Sequence, residues 1–173
     1  MVEALTSFAQ GNTTLLKRSL VQQVTKRELL EGTEHAATKD ETAGMREGLK
    51  HYPMSLETGG KNLMKAWRAG VFLVTGSDAG NFLVMQGPTV QHEIELWVAA
   101  GIPIDVALQA ATSNAAKLLR AESRIGTVEK GKEATLLIVD GNPLQDVRAL
   151  SAISAVFMKG ERVNRAELLQ GDK

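Results

Sequence analysis

The stretch Val71-Phe72-Leu73-Val74-Thr75-Gly76-Ser77-Asp78 decides the fold expected for this chain. Its first residues are apolar or β-branched and lie between Gly70 and Gly76, which is typical of a short strand covered on both faces in a parallel sheet. An acidic residue follows soon after the second glycine. Because ligand crevices and catalytic groups of α/β folds lie at the C-terminal ends of parallel strands, this order makes Asp78 a candidate site residue.

Amphipathic patterns on both sides of this stretch predict helices. They are predicted over residues 13–31, 55–69, 92–100 and 103–111, with a further short helix after a break near 112–114. Gly32, Gly70 and Gly101 stand where three of these helices are expected to end, because glycine readily adopts the left-handed conformation that follows a helix.

The pattern changes near the C-terminus. After Gly126 apolar residues recur with a period of two, which predicts strands over 134–140 and 152–158. Lys159-Gly160-Glu161 is typical of a tight turn into a further short strand. The region 123–163 is therefore predicted to form a small antiparallel β unit apart from the helices.

Composition and charge exclude several classes of protein. The 173 residues include 20 basic and 20 acidic side chains, so no basic surplus favours binding to nucleic acid. The absence of cysteine excludes disulfides, zinc fingers, iron–sulfur clusters and cysteine nucleophiles.

No apolar run approaches the about 20 residues of a membrane span, so no membrane partner is expected. The first residues carry no signal-peptide pattern, and the cytoplasm is the default location expected unless a leader precedes them.

Asp78 and His92 have side chains suited to a functional site. An acid after a strand can bind a metal or exchange a proton with a bound water, but Ser-Asp-x-Gly is also common turn chemistry, which spacing alone favours. His92 begins a predicted helix, where it could line a pocket, although packing or solvent exposure is the commoner role. The histidines at 35, 51 and 92 show none of the spacings that place two ligands on one metal.

Six motifs follow one another along the C-terminal part of the chain. They are Ala69-Gly70-Val71 with Gly76-Ser77-Asp78-Ala79-Gly80, His92-Glu93-Ile94-Glu95-Leu96 through Ala100-Gly101-Ile102, Ala107-Leu108-Gln109-Ala110-Ala111-Thr112-Ser113-Asn114-Ala115-Ala116, Ile125-Gly126-Thr127-Val128-Glu129-Lys130-Gly131-Lys132, Val139-Asp140-Gly141-Asn142-Pro143-Leu144, and Val156-Phe157-Met158-Lys159-Gly160. With these motifs, in the same order, the chain from residue 70 onward resembles the C-terminal part of metal-dependent amidohydrolases, in their imidazolonepropionase- and prolidase-like branch. Ser77 departs from the family pattern, which usually has threonine there, and Thr135 stands where the family usually has aspartate.

The resemblance implies an α/β fold, a C-terminal fragment of a TIM-barrel amidohydrolase followed by a small β unit. Residues 1–122 would form the partial barrel segment, with the last barrel strand at 71–75, and residues 123–173 the C-terminal β-sandwich portion. Asp78 would be the family's strand-eight aspartate, which is both a metal ligand and a catalytic group that moves protons. Asn81 and His92 are the candidate substrate-binding residues, and the apolar loop 81–88 either faces the substrate or packs under the first helix.

The family's other metal ligands have no match in this sequence: a first-strand His-x-His, a bridging lysine or acid, and two further histidines. A complete barrel typically needs about 250 residues. We therefore expect a divalent metal, zinc, only in a completed site, and none held by this chain alone. The chain would be a fragment or subunit, inactive by itself, of a hydrolase that cleaves C–N bonds of a small-molecule substrate by metal-activated water.

Two partners are expected for such a fragment, a complementary N-terminal barrel polypeptide or a second copy of the chain in a homo-oligomer. The alternative function is a non-catalytic interaction or assembly domain that retains the amidohydrolase scaffold.

Overall fold

The computed structural model describes residues 1–52 and 55–170, and the contacts divide the chain into two compact units. Unit 1 comprises the described residues of Met1–Asn62 together with Ser77–Thr89. Unit 2 comprises Leu63–Gly76 and Val90–Gln170. The end of the predicted C-terminal portion, 171–173, lies outside the described residues.

Short helices and turns form the first part of the chain. They are α1 (Val2–Ala9), a 3-10 turn (Thr14–Lys17), α2 (Ser19–Val24), α3 (Arg27–Thr38), a 3-10 turn (Asp40–Thr42), α4 (Ala43–Lys50) and α5 (Leu56–Arg68). The single helix predicted over 13–31 is wrong, because the backbone is extended at Arg18, Thr25 and Lys26. These breaks separate short elements whose apolar residues, such as Leu16 and Val21, share one core.

Gly32 does not end a helix, contrary to the prediction. It lies exposed inside α3, which continues to Thr38. An exposed glycine in a helix interior costs only about 1 kcal/mol relative to alanine, and the packing of Ala37 on the core of unit 1 offsets that cost.

The core of unit 1 joins α1 to the segment that follows Asp78. Phe8 of α1 is fully buried, and its ring stacks on Phe82 with 3.9 Å between centroids and 13° between planes. The other buried members are Ala4, Leu16, Val21, Ala37, Leu83, Val84 and Met85. The packing of a helix on the residues 82–85 therefore gives unit 1 its apolar centre.

The helices of unit 2 follow the sequence predictions closely. They include α6 (Pro88–Ala99, which begins in unit 1), α7 (Ile104–Ala111) and α8 (Ser113–Leu118). Gly70 and Gly101 have φ values of 74° and 101° and follow α5 and α6, which confirms both predicted helix ends. Within residues 1–52 and 55–170, no helix is long and apolar enough to cross a membrane.

Residues 71–78 have no regular secondary structure, which corrects the strand predicted over 71–75. Val71 and Phe72 are 53% and 54% exposed, whereas a central strand would bury them. A strand needs neighbours to pair with, and the sheet formed within the described residues contains only C-terminal segments. Residues 73–76 instead bind the helices of unit 2 through their main chain.

The C-terminal strands confirm the predicted antiparallel arrangement. The strands β1 (Leu136–Val139), β2 (Ile153–Met158) and β3 (Glu161–Arg162) form a sheet in the order β1-β2-β3. Leu136 lies opposite Phe157, and Met158 lies opposite Glu161. Lys159 and Gly160 have φ values of 52° and 91°, as the two-residue turns of β-hairpins require. A 3-10 turn (Val147–Ser151) precedes β2, and α9 (Arg165–Gln170) follows β3.

Candidate functional site

Asp78 opens a tight loop in unit 1. Its φ is 53°, a left-handed conformation that aspartate tolerates better than most residues, and its side chain is exposed. The Asn81 Nδ2 group donates to the Asp78 carbonyl oxygen at 3.3 Å, and the Val84 N–H donates to the Asn81 carbonyl oxygen at 3.1 Å. The Gly80 N–H donates to the Val84 carbonyl oxygen at 3.3 Å. The loop thus presents the Asp78 carboxylate to solvent on a backbone tied by local hydrogen bonds.

The residues after this loop anchor it to the core of unit 1. Leu83, Val84 and Met85 are buried, and Phe82 packs on α1. Of the two roles left open for the loop 81–88, packing under the first helix is therefore the one that residues 82–85 adopt.

Asn81 and His92 make different side-chain contacts. Asn81 uses its amide group to hold the main chain of the Asp78 loop. His92 lies in unit 2, and its Nδ1 atom is 3.0 Å from Glu95 Oε2, one turn further along α6. Asp78 and Asn81 thus share one loop of unit 1, and substrate binding by Asn81 and His92 stays a prediction.

Glu93 is the residue of this region that the sequence predictions did not single out. Its Oε2 atom accepts a hydrogen bond from the Gly76 N–H at 3.0 Å, and the side chain of Trp97 also hydrogen-bonds to it. Burial raises the pKa of the Glu93 carboxyl, while the hydrogen bond from Gly76 acts against that rise. An acid four residues before a tryptophan on the same helix is the signal that could have indicated it.

This pKa shift makes the stability of the protein depend on pH. The folded protein binds the Glu93 proton more strongly than the unfolded chain does. The contribution of Glu93 to the free energy of unfolding therefore falls as the pH rises from the ordinary pKa of 4.5 through the raised pKa of the folded state. We expect the unfolding free energy of the wild type, relative to Glu93→Gln, to be level below that window and to decrease across it. Urea unfolding at a series of pH values measures the difference, and a difference that increases with pH would contradict the assignment.

The described residues do not provide a complete metal site. A catalytic zinc needs three protein ligands with one position open. Across residues 1–52 and 55–170, no group of three or more histidine, aspartate or glutamate side chains is placed to hold a metal. By itself, Asp78 has the chemistry of a single metal ligand. The described residues therefore do not fit the metal centre that the resemblance implies.

The chain belongs to the amidohydrolase family, whose model matches residues 15–163. This family comprises hydrolases that generally use a divalent metal, and the α/β content of the chain agrees with that class. A comparison with curated protein sequences gives no match.

Solved hydrolase structures share the fold of the chain. A Xaa-Pro dipeptidase with methionine bound in its active site is 29% identical with a TM-score of 0.59, covering 79% of this chain and 32% of its own. A protein from Bifidobacterium longum assigned as a prolidase is 26% identical with a TM-score of 0.57, covering 91% of this chain and 38% of its own. Molinate hydrolase is 25% identical with a TM-score of 0.56, covering 62% and 27%. The chain therefore matches well under half the length of these enzymes.

Proposed function

We propose that this chain is one part of a metal-dependent amidohydrolase that hydrolyses C–N bonds, and that Asp78 is the ligand and proton-transfer group it contributes. The family match over residues 15–163 is the observation that carries the proposal. The similarity to a Xaa-Pro dipeptidase and to molinate hydrolase favours amide, cyclic amide or peptide-like substrates.

The remaining ligands come, in this proposal, from a complementary polypeptide that supplies the rest of a TIM barrel. The chain matches 32% of the Xaa-Pro dipeptidase, and a barrel typically needs about 250 residues. Asp78 suits the role assigned to it because it is exposed, so its carboxylate is open to a metal ion and to water.

The proposal also includes association through the apolar surface of unit 2. Within the described residues, β1 is an edge strand with neighbours on one side only, and edges of apolar strands recruit further strands. Its side chains, Leu136 to Val139, carry no charge that would prevent such pairing. Exposed apolar residues of the same unit are Val71, Phe72, Leu118, Leu119, Val128, Leu144 and Met158. The partner is the complementary polypeptide or a second copy, with an interface above about 1,000 Å².

Zinc uptake tests the proposed function. The chain is mixed with an N-terminal barrel polypeptide of this family that carries the His-x-His motif, and the bound zinc is measured by competition with a chelator. We expect the mixture to bind zinc, and Asp78→Asn to weaken the binding by at least about 10-fold, since even loss of an outer-shell partner costs that much. The matched control is Asp105→Asn, which neutralises an exposed carboxylate of α7.

The outcomes separate the two functions considered for this chain. Zinc uptake that depends on Asp78 but not on Asp105 supports the hydrolase part. A complex that forms between the two polypeptides but takes up no zinc would overturn that proposal and favour the non-catalytic assembly domain.

A further inference from the structure

A cavity of about 400 Å³ lies in the C-terminal part of unit 2, between the sheet and α9. The described residues that line it are Ser154 and Ala155 of β2 and residues 162–166, which run from β3 into α9. Cavities that hold small ligands usually measure about 300–1,000 Å³ and combine apolar walls with a few polar groups. This cavity lies near the small end of that range, so it suits a small molecule or ion rather than a folded partner.

Two arginine side chains give the cavity its charge. Arg162 and Arg165 both line it, and neither guanidinium group forms an ion pair in the part of the chain that the structure describes. Arg165 is partly buried, and its Nη1 atom donates to the Ile153 carbonyl oxygen at 2.5 Å. Because a guanidinium group has five N–H donors, this bond orients the Arg165 side chain and leaves further donors for a ligand.

The acidic residues next to the cavity do not neutralise these arginines. Glu161 and Arg162 are neighbours in β3, and successive side chains of a strand point to opposite faces. The Glu167 Oε2 atom accepts a hydrogen bond from the Asn164 Nδ2 group at 3.2 Å. Neither glutamate is among the described residues that line the cavity. Its described walls therefore carry two positive charges and no carboxylate.

We propose that this cavity binds a phosphate group, either as the free ion or as a monoester of a small molecule, through the guanidinium groups of Arg162 and Arg165. The planar guanidinium fork matches the oxygens of phosphate and makes parallel hydrogen bonds to them. A phosphate monoester carries a charge of about −1.5 to −2 at pH 7, which balances two arginines better than the single charge of a carboxylate does. The proposal uses contacts within unit 2 only and is independent of the function proposed for Asp78.

Hydrogen exchange measured by mass spectrometry on the full chain tests the proposal. Inorganic phosphate, phenyl phosphate or benzoate is titrated at constant ionic strength, and the concentration that gives half of the protection is read from peptides that span residues 153–168. Phenyl phosphate represents a small monoester, and benzoate represents an aromatic acid with a single charge. The variants are Arg162→Ala, Arg162→Lys and Arg165→Ala. The matched control is Arg68→Ala, which removes an exposed arginine of α5 outside the cavity.

We expect inorganic phosphate and phenyl phosphate to protect these peptides, and benzoate to protect them more weakly. Arg162→Ala and Arg165→Ala should each raise the half-protecting concentration by about 10-fold or more, the usual cost of losing a hydrogen bond between charged groups. Arg162→Lys should also raise it, because an ammonium group lacks the fork, whereas Arg68→Ala should match the wild type. Tighter binding of phenyl phosphate than of inorganic phosphate identifies a small molecule as the source of the phosphate, and the reverse order identifies the free ion.

Two results would overturn the proposal. If Arg162→Ala and Arg68→Ala were protected to the same extent, or if no phosphate protected the wild type, the arginines would not form a phosphate site. If benzoate protected as well as phenyl phosphate did, the cavity would not select a doubly charged group. Arg165→Ala also removes the bond to Ile153, so its exchange without ligand is compared with that of the wild type first. If that exchange is faster throughout unit 2, the two variants of Arg162 decide the outcome, because the Arg162 side chain has no hydrogen-bond partner among the described residues.

Discussion

Replacing Phe8 with alanine is expected to lower the free energy of unfolding of unit 1 by about 3–5 kcal/mol, the usual cost of truncating a buried phenylalanine. The Phe8 side chain is 0% exposed and stacks on Phe82 at 3.9 Å, so the change removes both apolar burial and a ring contact. Because Phe82 directly precedes the buried residues 83–85, the loop that carries Asp78 should loosen as well. Urea unfolding gives the free energy, and hydrogen exchange in peptides 78–85 gives the local effect.

Tyr52→Ala is the matched aromatic control within the same unit, since Tyr52 is 67% exposed. Exposed substitutions usually change stability by within about 0.5 kcal/mol. Similar losses for the two variants would show that α1 does not pack on residues 82–85 as described.

Gly126→Ala is the second substitution expected to have a large effect. A Cβ atom at position 126 would lie 2.5 Å from the Ala116 Cβ atom and 3.2 Å from the Thr112 carbonyl oxygen, and the backbone has a φ of 97°. The strained conformation costs about 1–3 kcal/mol and overpacking typically a further 1–3 kcal/mol. The added methyl group would disrupt the contact between the turn after α8 and residues 112–116. The amides of both segments should therefore lose protection against hydrogen exchange.

Gly131→Ala separates these two costs. Gly131 has a similar φ of 93°, but nothing lies within 4 Å of the Cβ atom that alanine would add. We expect Gly131→Ala to lose only the stability that the strained backbone conformation costs. The unfolding temperature should therefore be highest for the wild type, lower for Gly131→Ala and lowest for Gly126→Ala. An equal loss for both glycines would mean that residue 126 does not approach α8 closely.

The sequence predicted the parts of the fold that depend on local signals. Gly70 and Gly101 end helices because a left-handed residue is a property of the chain at that point. The turn at Lys159 and Gly160 and the two-residue period around it predicted the C-terminal hairpin for the same reason. Gly32 was misleading because a single glycine is a weak signal inside a helix that packing stabilises.

The stretch 71–75 could not be predicted from its own residues. Its composition suits a strand, but a strand also requires partners, and the described part of the chain supplies helices to this segment instead. The same limit applies to the candidate site. Asp78 was found by its motif, whereas Glu93 was not, because its partner is the N–H of Gly76, 17 residues earlier in the sequence.

Light scattering of the purified chain, alone and mixed with an N-terminal barrel polypeptide of this family, tests the central claim most directly. The claim is that this chain completes its core and its site only with another polypeptide. We expect a mass of at least two chains when it is alone at micromolar concentration, and a defined complex with the added polypeptide. A monomer that unfolds cooperatively and does not bind the added polypeptide would contradict the claim, because it would show that the chain closes its own core.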